Sequence, residues 1–133
     1  MLKMSTKKDP ENILREEMLK ERAEVLGRAG EKLAAAIEKM SIIEQGIDER
    51  LKQVRFVANK GEKNGESDEL VSMKKDIMGE INREIGKFNR AREYAKLRYY
   101  YFIVTREAMG MRRHHWVDEW YRIPPRKQHF RGI

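Results

Sequence analysis

The fold of this chain is decided by residues 19–58, which read LKERAEVLGRAGEKLAAAIEKMSIIEQGIDERLKQVRFVA. In this stretch an apolar position recurs at alternating steps of four and three residues, which is the heptad pattern of helices that pack as a coiled coil. The positions are Leu19, Ala23, Leu26, Gly30, Leu33, Ile37, Met40, Glu44, Ile47, Leu51, Val54 and Ala58. Because the pattern runs without a skip, it predicts one long helix.

Local signals mark the two ends of this first helix. Asp9 is a hydrogen-bond acceptor suited to the N-cap and Pro10 suits the first helical position, so the helix is predicted over 9–58. Residues 1–8 are expected to be a disordered N-terminus. Residues 59–68, NKGEKNGESD, contain two glycines and no apolar side chain, and they predict a loop.

A second helix is predicted over 69–109, with Gly110 as its stop. Its four–three positions are Leu70, Lys74, Ile77, Ile81, Glu84, Phe88, Ala91, Ala95, Arg98 and Phe102. Two long helices joined by so short a loop are expected to turn back on each other as an antiparallel, coiled-coil-like hairpin over 9–110. Residues 111–133 are expected to form a short helix and a Pro/Arg-rich tail. The predicted fold class is therefore all-α.

Both predicted helices are apolar over more than the narrow seam of a two-stranded coiled coil. The flanking apolar positions are Ala29, Ala36, Ile43 and Val57 in the first helix, and Val71, Met78, Ile85 and Tyr99 in the second. A lone hairpin leaves these flanks in water, so a second copy is expected to complete a multi-helix bundle, with a homodimer favoured. A trimer, a different protein that supplies the missing helices, and a bent hairpin whose own C-terminal segment covers the flank are the alternatives.

The run YYYFIV, residues 99–104, is apolar on nearly every side of the second helix. The segment 113–122 is expected to be a short helix ended by Pro124-Pro125, with aromatic residues on one face that dock on another apolar surface. We predict that the run and this face meet each other and a protein partner. The predicted interface residues are Tyr99, Tyr100, Tyr101, Phe102, Ile103, Val104, Trp116, Trp120 and Tyr121.

The net charge of +7 lies entirely in the second half of the chain. Residues 1–68 hold 14 basic and 14 acidic side chains, whereas residues 69–133 hold 15 basic and 8 acidic ones. Arginines mixed with aromatic rings are typical both of protein interfaces and of nucleic-acid-binding surfaces. If residues 87–131 bind an anion or a nucleic acid, the contacts are expected from Arg106, Arg112, Arg113, Arg122, Arg126, Lys127 and Arg131.

No motif in the chain predicts catalysis, a metal or a cofactor. The chain has no cysteine, which excludes disulfides, thiolate metal sites and cysteine nucleophiles. His114 and Asp118 have a spacing that places two ligands on one ion, but zinc usually needs three or four. Two seam acids, Glu44 and Glu84, are expected to fix the helix register or to pair with a basic residue, with Arg92 or Arg98 as candidates for Glu44.

The sequence favours a non-enzymatic structural or adaptor protein that acts through helical self-association and through protein contacts at its Arg/aromatic C-terminal region. The alternative is a small basic protein that binds RNA or DNA. No secretory signal and no apolar stretch of about 20 residues is present, so the chain is expected in the cytoplasm with no membrane insertion.

Overall fold

The computed structural model describes residues 9–132 and contains three helices and no strand in that range. They are α1 (Pro10–Asn64), α2 (Asp68–Ala108) and α3 (His115–Trp120). The two long helices pack against each other as a hairpin, and α3 lies against its open end. The predicted all-α hairpin with a short C-terminal helix is confirmed. The expected disordered segment 1–8 lies outside the described residues.

Side-chain caps start both long helices. The Asp9 carboxylate accepts a hydrogen bond of 2.8 Å from the backbone N–H of Asn12, as expected for the N-cap of α1. The Ser67 hydroxyl accepts one of 3.1 Å from the backbone N–H of Leu70 and caps α2 in the same way. The helix starts are therefore fixed by local chemistry that is readable in the sequence.

The first helix ends later than predicted, and the loop is correspondingly shorter. The expected loop 59–68 is helical through Gly61 to Asn64, which leaves only residues 65–67 between the helices. A glycine inside a helix costs about 1 kcal/mol relative to alanine but does not by itself end the helix. The chain turns at Gly65, whose φ of 79° lies in the left-handed region that favours glycine.

The hairpin core is a continuous line of apolar side chains between α1 and α2. The buried residues are Ala36, Met40, Ile47 and Val54 from α1, and Ile81, Ile85, Phe88, Ala91 and Ala95 from α2. Beside this line, Nε of Arg50 lies 3.3 Å from Oε2 of Glu80 and links the two helices. These contacts fix the antiparallel register.

The predicted heptad of α1 has two seam positions in each repeat, and the structure agrees with the prediction at only one of them. The first position is buried as expected, at Leu33, Met40, Ile47 and Val54. The second seam position is taken by Ala36 and Val57, whereas Ile37 and Leu51 are only partly buried. The line of Ile37 and Leu51 also contains Glu44, which pairs with the C-terminal Lys127. Helix α2 and the C-terminal segment therefore both pack on α1, and each packs against a different line of α1 side chains.

The C-terminal residues 122–132, which we call the tail, cover the apolar flank of the hairpin. Ile123 and Phe130 of the tail pack against the core between α1 and α2. Part of the wide apolar face from which a second hairpin was expected is thus covered by the chain itself, which was one of the alternatives. Val71 of that face is still 48% exposed.

The first part of α1, residues 10–25, extends past the end of α2, and we call it the arm. A Cβ atom on Gly30 would lie 3.3 Å from Cε1 of Phe102, which places these two residues side by side. Because α2 ends at Ala108, it reaches only to about residue 24 of α1. Every residue of the arm is exposed, including Ile13, Leu14, Met18, Leu19 and Val25.

Candidate protein-interaction surface

A small apolar cluster joins α3 to the open end of the hairpin. Leu33 of α1, Phe102 of α2 and Val117 of α3 are buried together. The ring of Tyr121 meets the ring of Phe102 edge-on, with centroids 5.8 Å apart and planes at 72°, a favourable aromatic arrangement. Two further residues of the YYYFIV run are partly buried against this cluster, Tyr99 and Ile103. The C-terminal segment therefore covers only part of the run, because Tyr100, Tyr101 and Val104 stay exposed in the single chain.

The buried residue that docks α3 is Val117, and neither of the two tryptophans on which the prediction relied is buried. The helix spans only His115–Trp120 rather than 113–122, so a single line of side chains faces the hairpin, and Val117 and Tyr121 form that line. Trp120 is 77% exposed and Trp116 is 38% exposed. Contacts of these two rings with a partner remain a prediction.

Arg106 lies beneath the start of α3 and is 7% exposed. Its Nε donates to Nδ1 of His114 over 3.3 Å, and its Nη2 donates to the backbone oxygen of Arg113 over 2.8 Å. Its guanidinium carbon also lies 4.6 Å from the centroid of the Trp116 ring. The predicted anion contact at Arg106 is not available in this structure, because the guanidinium ties α3 to α2.

An uncovered apolar line runs along α2 outside its buried contacts with α1, α3 and the tail, and its end at Tyr94 borders a groove that α1 also lines. The line consists of Tyr94, Leu97, Tyr101 and Val104, which we call the outer stripe. All four are exposed by between 43% and 47%. Arg98 borders the line, since its Nε donates to the Tyr94 hydroxyl over 2.9 Å and its guanidinium lies 5.9 Å from the Tyr101 ring. Tyr100, 62% exposed, lies beside the same line.

The tail is held to α2 by two asparagines that bind its backbone. Nδ2 of Asn89 donates to the Lys127 carbonyl over 2.9 Å, and the Lys127 N–H donates to Oδ1 of Asn89 over 2.8 Å. Asn82 binds Phe130 in the same two-bond way, at 3.1 and 2.7 Å. Asn82 and Asn89 are seven residues apart, which is about 10.5 Å along a helix. Lys127 and Phe130 are three residues apart, which is about 10 Å along an extended chain. The spacing of the two asparagines therefore matches the spacing of the two tail residues that they bind.

Lys127 joins the tail to both long helices. Its Nζ lies 2.9 Å from Oε2 of Glu44 and 4.8 Å from the centroid of the Phe88 ring. Glu44 is thus paired with the tail and not with Arg92 or Arg98, the expected candidates. Arg92 instead donates from Nε to the Pro124 carbonyl over 2.7 Å. Lys127, one of the predicted anion contacts, is consequently occupied by a structural ion pair.

Five predicted anion contacts remain exposed, and they are Arg112, Arg113, Arg122, Arg126 and Arg131. Arg126 lies 3.7 Å from Glu93, in a contact that is largely exposed. An open groove of about 670 Å³ lies between α2, α3 and the tail, with Tyr99, Tyr121 and Arg122 in its lining. The groove brings two predicted aromatic residues and one predicted arginine together.

No group of side chains placed to bind a metal is found in the part of the chain that the structure describes. Residues 9–132 contain no group of three or more His, Asp or Glu placed to hold an ion.

Glu84, the second seam acid, pairs with Lys87 one turn away, with 3.1 Å between Nζ and Oε1. No helix in the same range is long and apolar enough to cross a membrane.

Sequence reasoning missed the asparagine pair and the ordered tail. The available signal was the seven-residue spacing of Asn82 and Asn89, each of which directly follows a buried position, Ile81 and Phe88. Polar amides at two equivalent places beside a core indicate a bound backbone, because a half-buried amide needs hydrogen-bond partners.

Compared with known protein families, curated proteins and solved structures, the chain has no significant match.

Proposed function

We propose that this chain is a non-enzymatic structural or adaptor protein that acts through helical self-association and protein contacts at the open end of its hairpin. The observation that carries the proposal is the outer stripe, which stays uncovered after α1, α3 and the tail have taken the other sides of α2. Its steps of three, four and three residues are those of a helix that packs on another helix. A chain without cysteine suits the reducing cytoplasm, where we place this role.

The stripe is large enough to drive association. Each of its four side chains leaves on the order of 80 Å² in water, which corresponds to about 2 kcal/mol per side chain when covered. Two such surfaces give a gross gain of about 16 kcal/mol, and association costs about 4–15 kcal/mol. The apolar gain is therefore of the size that association requires.

A charge reversal inside the stripe tests the proposal. Leu97→Glu places a carboxylate in the middle of the stripe, and its matched control is Ile42→Glu, because Ile42 is 61% exposed on α1 outside every surface described above. Sedimentation velocity is expected to show a dimer for the native chain and for the control, and a monomer for Leu97→Glu. Equal sedimentation of the two variants, with helicity unchanged by circular dichroism, would contradict the role of the stripe.

A second candidate function, nucleic-acid binding, is supported by the groove beside α3. Its lining combines the Tyr99 and Tyr121 rings with Lys96 and Arg122, a composition that suits a base stacked near a phosphate. Binding of this kind is expected to be sequence-tolerant and to weaken steeply with salt. Titration with single-stranded RNA and duplex DNA at about 50 and 200 mM salt tests it. No binding at the lower salt concentration ends this candidate.

A further inference from the structure

We infer that the outer stripe of α2 is covered by the arm of a second copy, so that two chains exchange arms reciprocally. The inference rests on the proposed function and names the segment of the partner that fills its surface. Both elements are uncovered in the single chain, and both lie at the open end of the hairpin, since the arm begins where α2 stops. The second copy therefore carries the missing cover in the right place.

The arm and the stripe have the same spacing of side chains. Positions 14, 18, 21 and 25 of the arm advance by four, three and four residues, as do positions 97, 101, 104 and 108 of α2. A parallel pairing in that register gives four layers, which are Leu14 with Leu97, Met18 with Tyr101, Glu21 with Val104 and Val25 with Ala108. Three of the four layers are apolar, and Glu21 is flanked by them.

The direction of this pairing agrees with a closed dimer. When two hairpins meet at their open ends, the arm of each chain lies along the α2 of the other chain. The N-terminal end of the arm and the N-terminal end of that α2 then both lie away from the centre of the dimer, so the two helices are parallel. The arm is about 24 Å long and the stripe extended to Ala108 about 21 Å, so each covers the other. The same contact occurs twice about a two-fold axis, which closes the assembly at two chains.

The charges that border the two elements also favour this occupant. In the same register Arg22 of the arm lies beside the exposed ring of Tyr100, which favours a cation–π contact. Glu11 of the arm is level with Tyr94 of the partner's α2 in this register, and the exposed Arg90 lies one helical turn further out. Opposite charges therefore lie near each other at the outer end of each arm.

Two other ways of pairing two copies bring like charges together. Two antiparallel arms in their apolar register set Arg15 against Arg22 and Glu17 against Glu24. Two parallel stripes set Arg90 against its own copy. Like charges at such flanking positions destabilise a helix pair, and they select against these arrangements.

The interface that results has the size of a stable one. At about 80 Å² for each of four side chains on the stripe and a similar area on the arm, one contact buries about 640 Å², so the two reciprocal contacts bury about 1,300 Å². That value lies within the range of specific protein–protein interfaces, about 1,200–2,000 Å². A single arm-on-stripe contact falls below that range, which is why the reciprocal arrangement is the one proposed.

Disulfide trapping between two differently tagged variants tests the exchange, because the native chain has no cysteine. Full-length Met18→Cys is mixed with full-length Tyr101→Cys and oxidised mildly, and Ile42→Cys mixed with Tyr101→Cys is the control. Met18, Tyr101 and Ile42 are all exposed in the single chain, so their reactivity as cysteines is comparable. A mixed Met18→Cys/Tyr101→Cys disulfide is expected at a yield at least about tenfold above the control, because the complex raises the effective concentration.

Each other outcome overturns the exchange in a distinguishable way. Disulfides only between two Met18→Cys chains show that arms pair with arms. Disulfides only between two Tyr101→Cys chains show that stripes pair with stripes, which keeps self-association and removes the exchange. A mixed yield equal to the control, for protein that light scattering finds dimeric, places the interface elsewhere. Protein that is monomeric throughout overturns both the exchange and the proposed function.

Discussion

The attachment of the tail gives the sharpest prediction of a single substitution, Asn89→Ala. The side-chain amide of Asn89 makes two hydrogen bonds to the backbone of Lys127, at 2.9 and 2.8 Å, and alanine makes neither. The substitution removes no apolar core residue and leaves a good helix former in α2. Its effect therefore reports the tail attachment and not the integrity of the hairpin.

The magnitude follows from the number of bonds. Each hydrogen bond contributes about 1 kcal/mol net, so the attached state of the tail loses about 2 kcal/mol. Because about 1.4 kcal/mol corresponds to a factor of ten, the fraction of time for which the tail is detached rises about 30-fold. Asn82 still binds Phe130 in the variant, so attachment is weakened but not abolished.

Backbone hydrogen exchange measures this effect at the two tail amides. The Phe130 N–H keeps its acceptor, Asn82, and is expected to exchange about 30-fold faster in Asn89→Ala if the tail detaches as a unit. The Lys127 N–H loses its acceptor, so its exchange is expected to rise by at least as much. Asn59→Ala, an exposed asparagine of α1, is the control and is expected to change neither rate. An unchanged exchange rate at Lys127 in Asn89→Ala would contradict the hydrogen bonds between Asn89 and Lys127. A faster rate at Lys127 alone would show that the tail does not detach as a unit.

Three further substitutions test the packing of the hairpin, each by urea or thermal unfolding. Phe102→Ala empties the buried contact of α2 with Leu33 and Val117 and is expected to cost about 3–5 kcal/mol, whereas a loss below about 1 kcal/mol would contradict that cluster. Gly27→Ala adds a Cβ that meets nothing within 4 Å in the helix, so a gain of up to about 1 kcal/mol is expected and a loss would show an unrecognised contact. Lys127→Glu is expected to cost about 1 kcal/mol, because it faces Glu44 across a partly exposed contact, and the added change Glu44→Lys should restore most of the loss if the pair is real.

The two long helices were predictable because local signals specify them. The uninterrupted heptads and the acceptor at Asp9 need no knowledge of the rest of the chain. The end of α1 was misplaced because a helix tolerates Gly61 when its neighbours continue the helical hydrogen bonds, and only Gly65 adopts a positive φ. The choice between Ala36 and Ile37 as seam residues depends on which element covers α1, and that is a property of the whole fold.

The sequence indicated the region of the candidate site but not which of its residues are buried against the hairpin. The YYYFIV run lies where α3 meets the hairpin, since Phe102 is buried there with Val117. Tyr100, Tyr101 and Val104 of the same run are exposed, and their cover stays a prediction. Residue size favoured Trp116 and Trp120 as anchors, yet in a six-residue helix the line that faces the hairpin is set by orientation, which the sequence does not reveal. The tail has no periodicity, so its order follows from Asn82 and Asn89, which lie far away in sequence.

The most direct test of the central claim is the mass of the native, full-length protein in solution. Light scattering over a range of protein concentrations at moderate salt is expected to give twice the mass of one chain, falling toward the single-chain mass on dilution. That result is predicted because the outer stripe and the arm remain uncovered in one chain. A single-chain mass at every concentration would contradict helical self-association as the basis of the function.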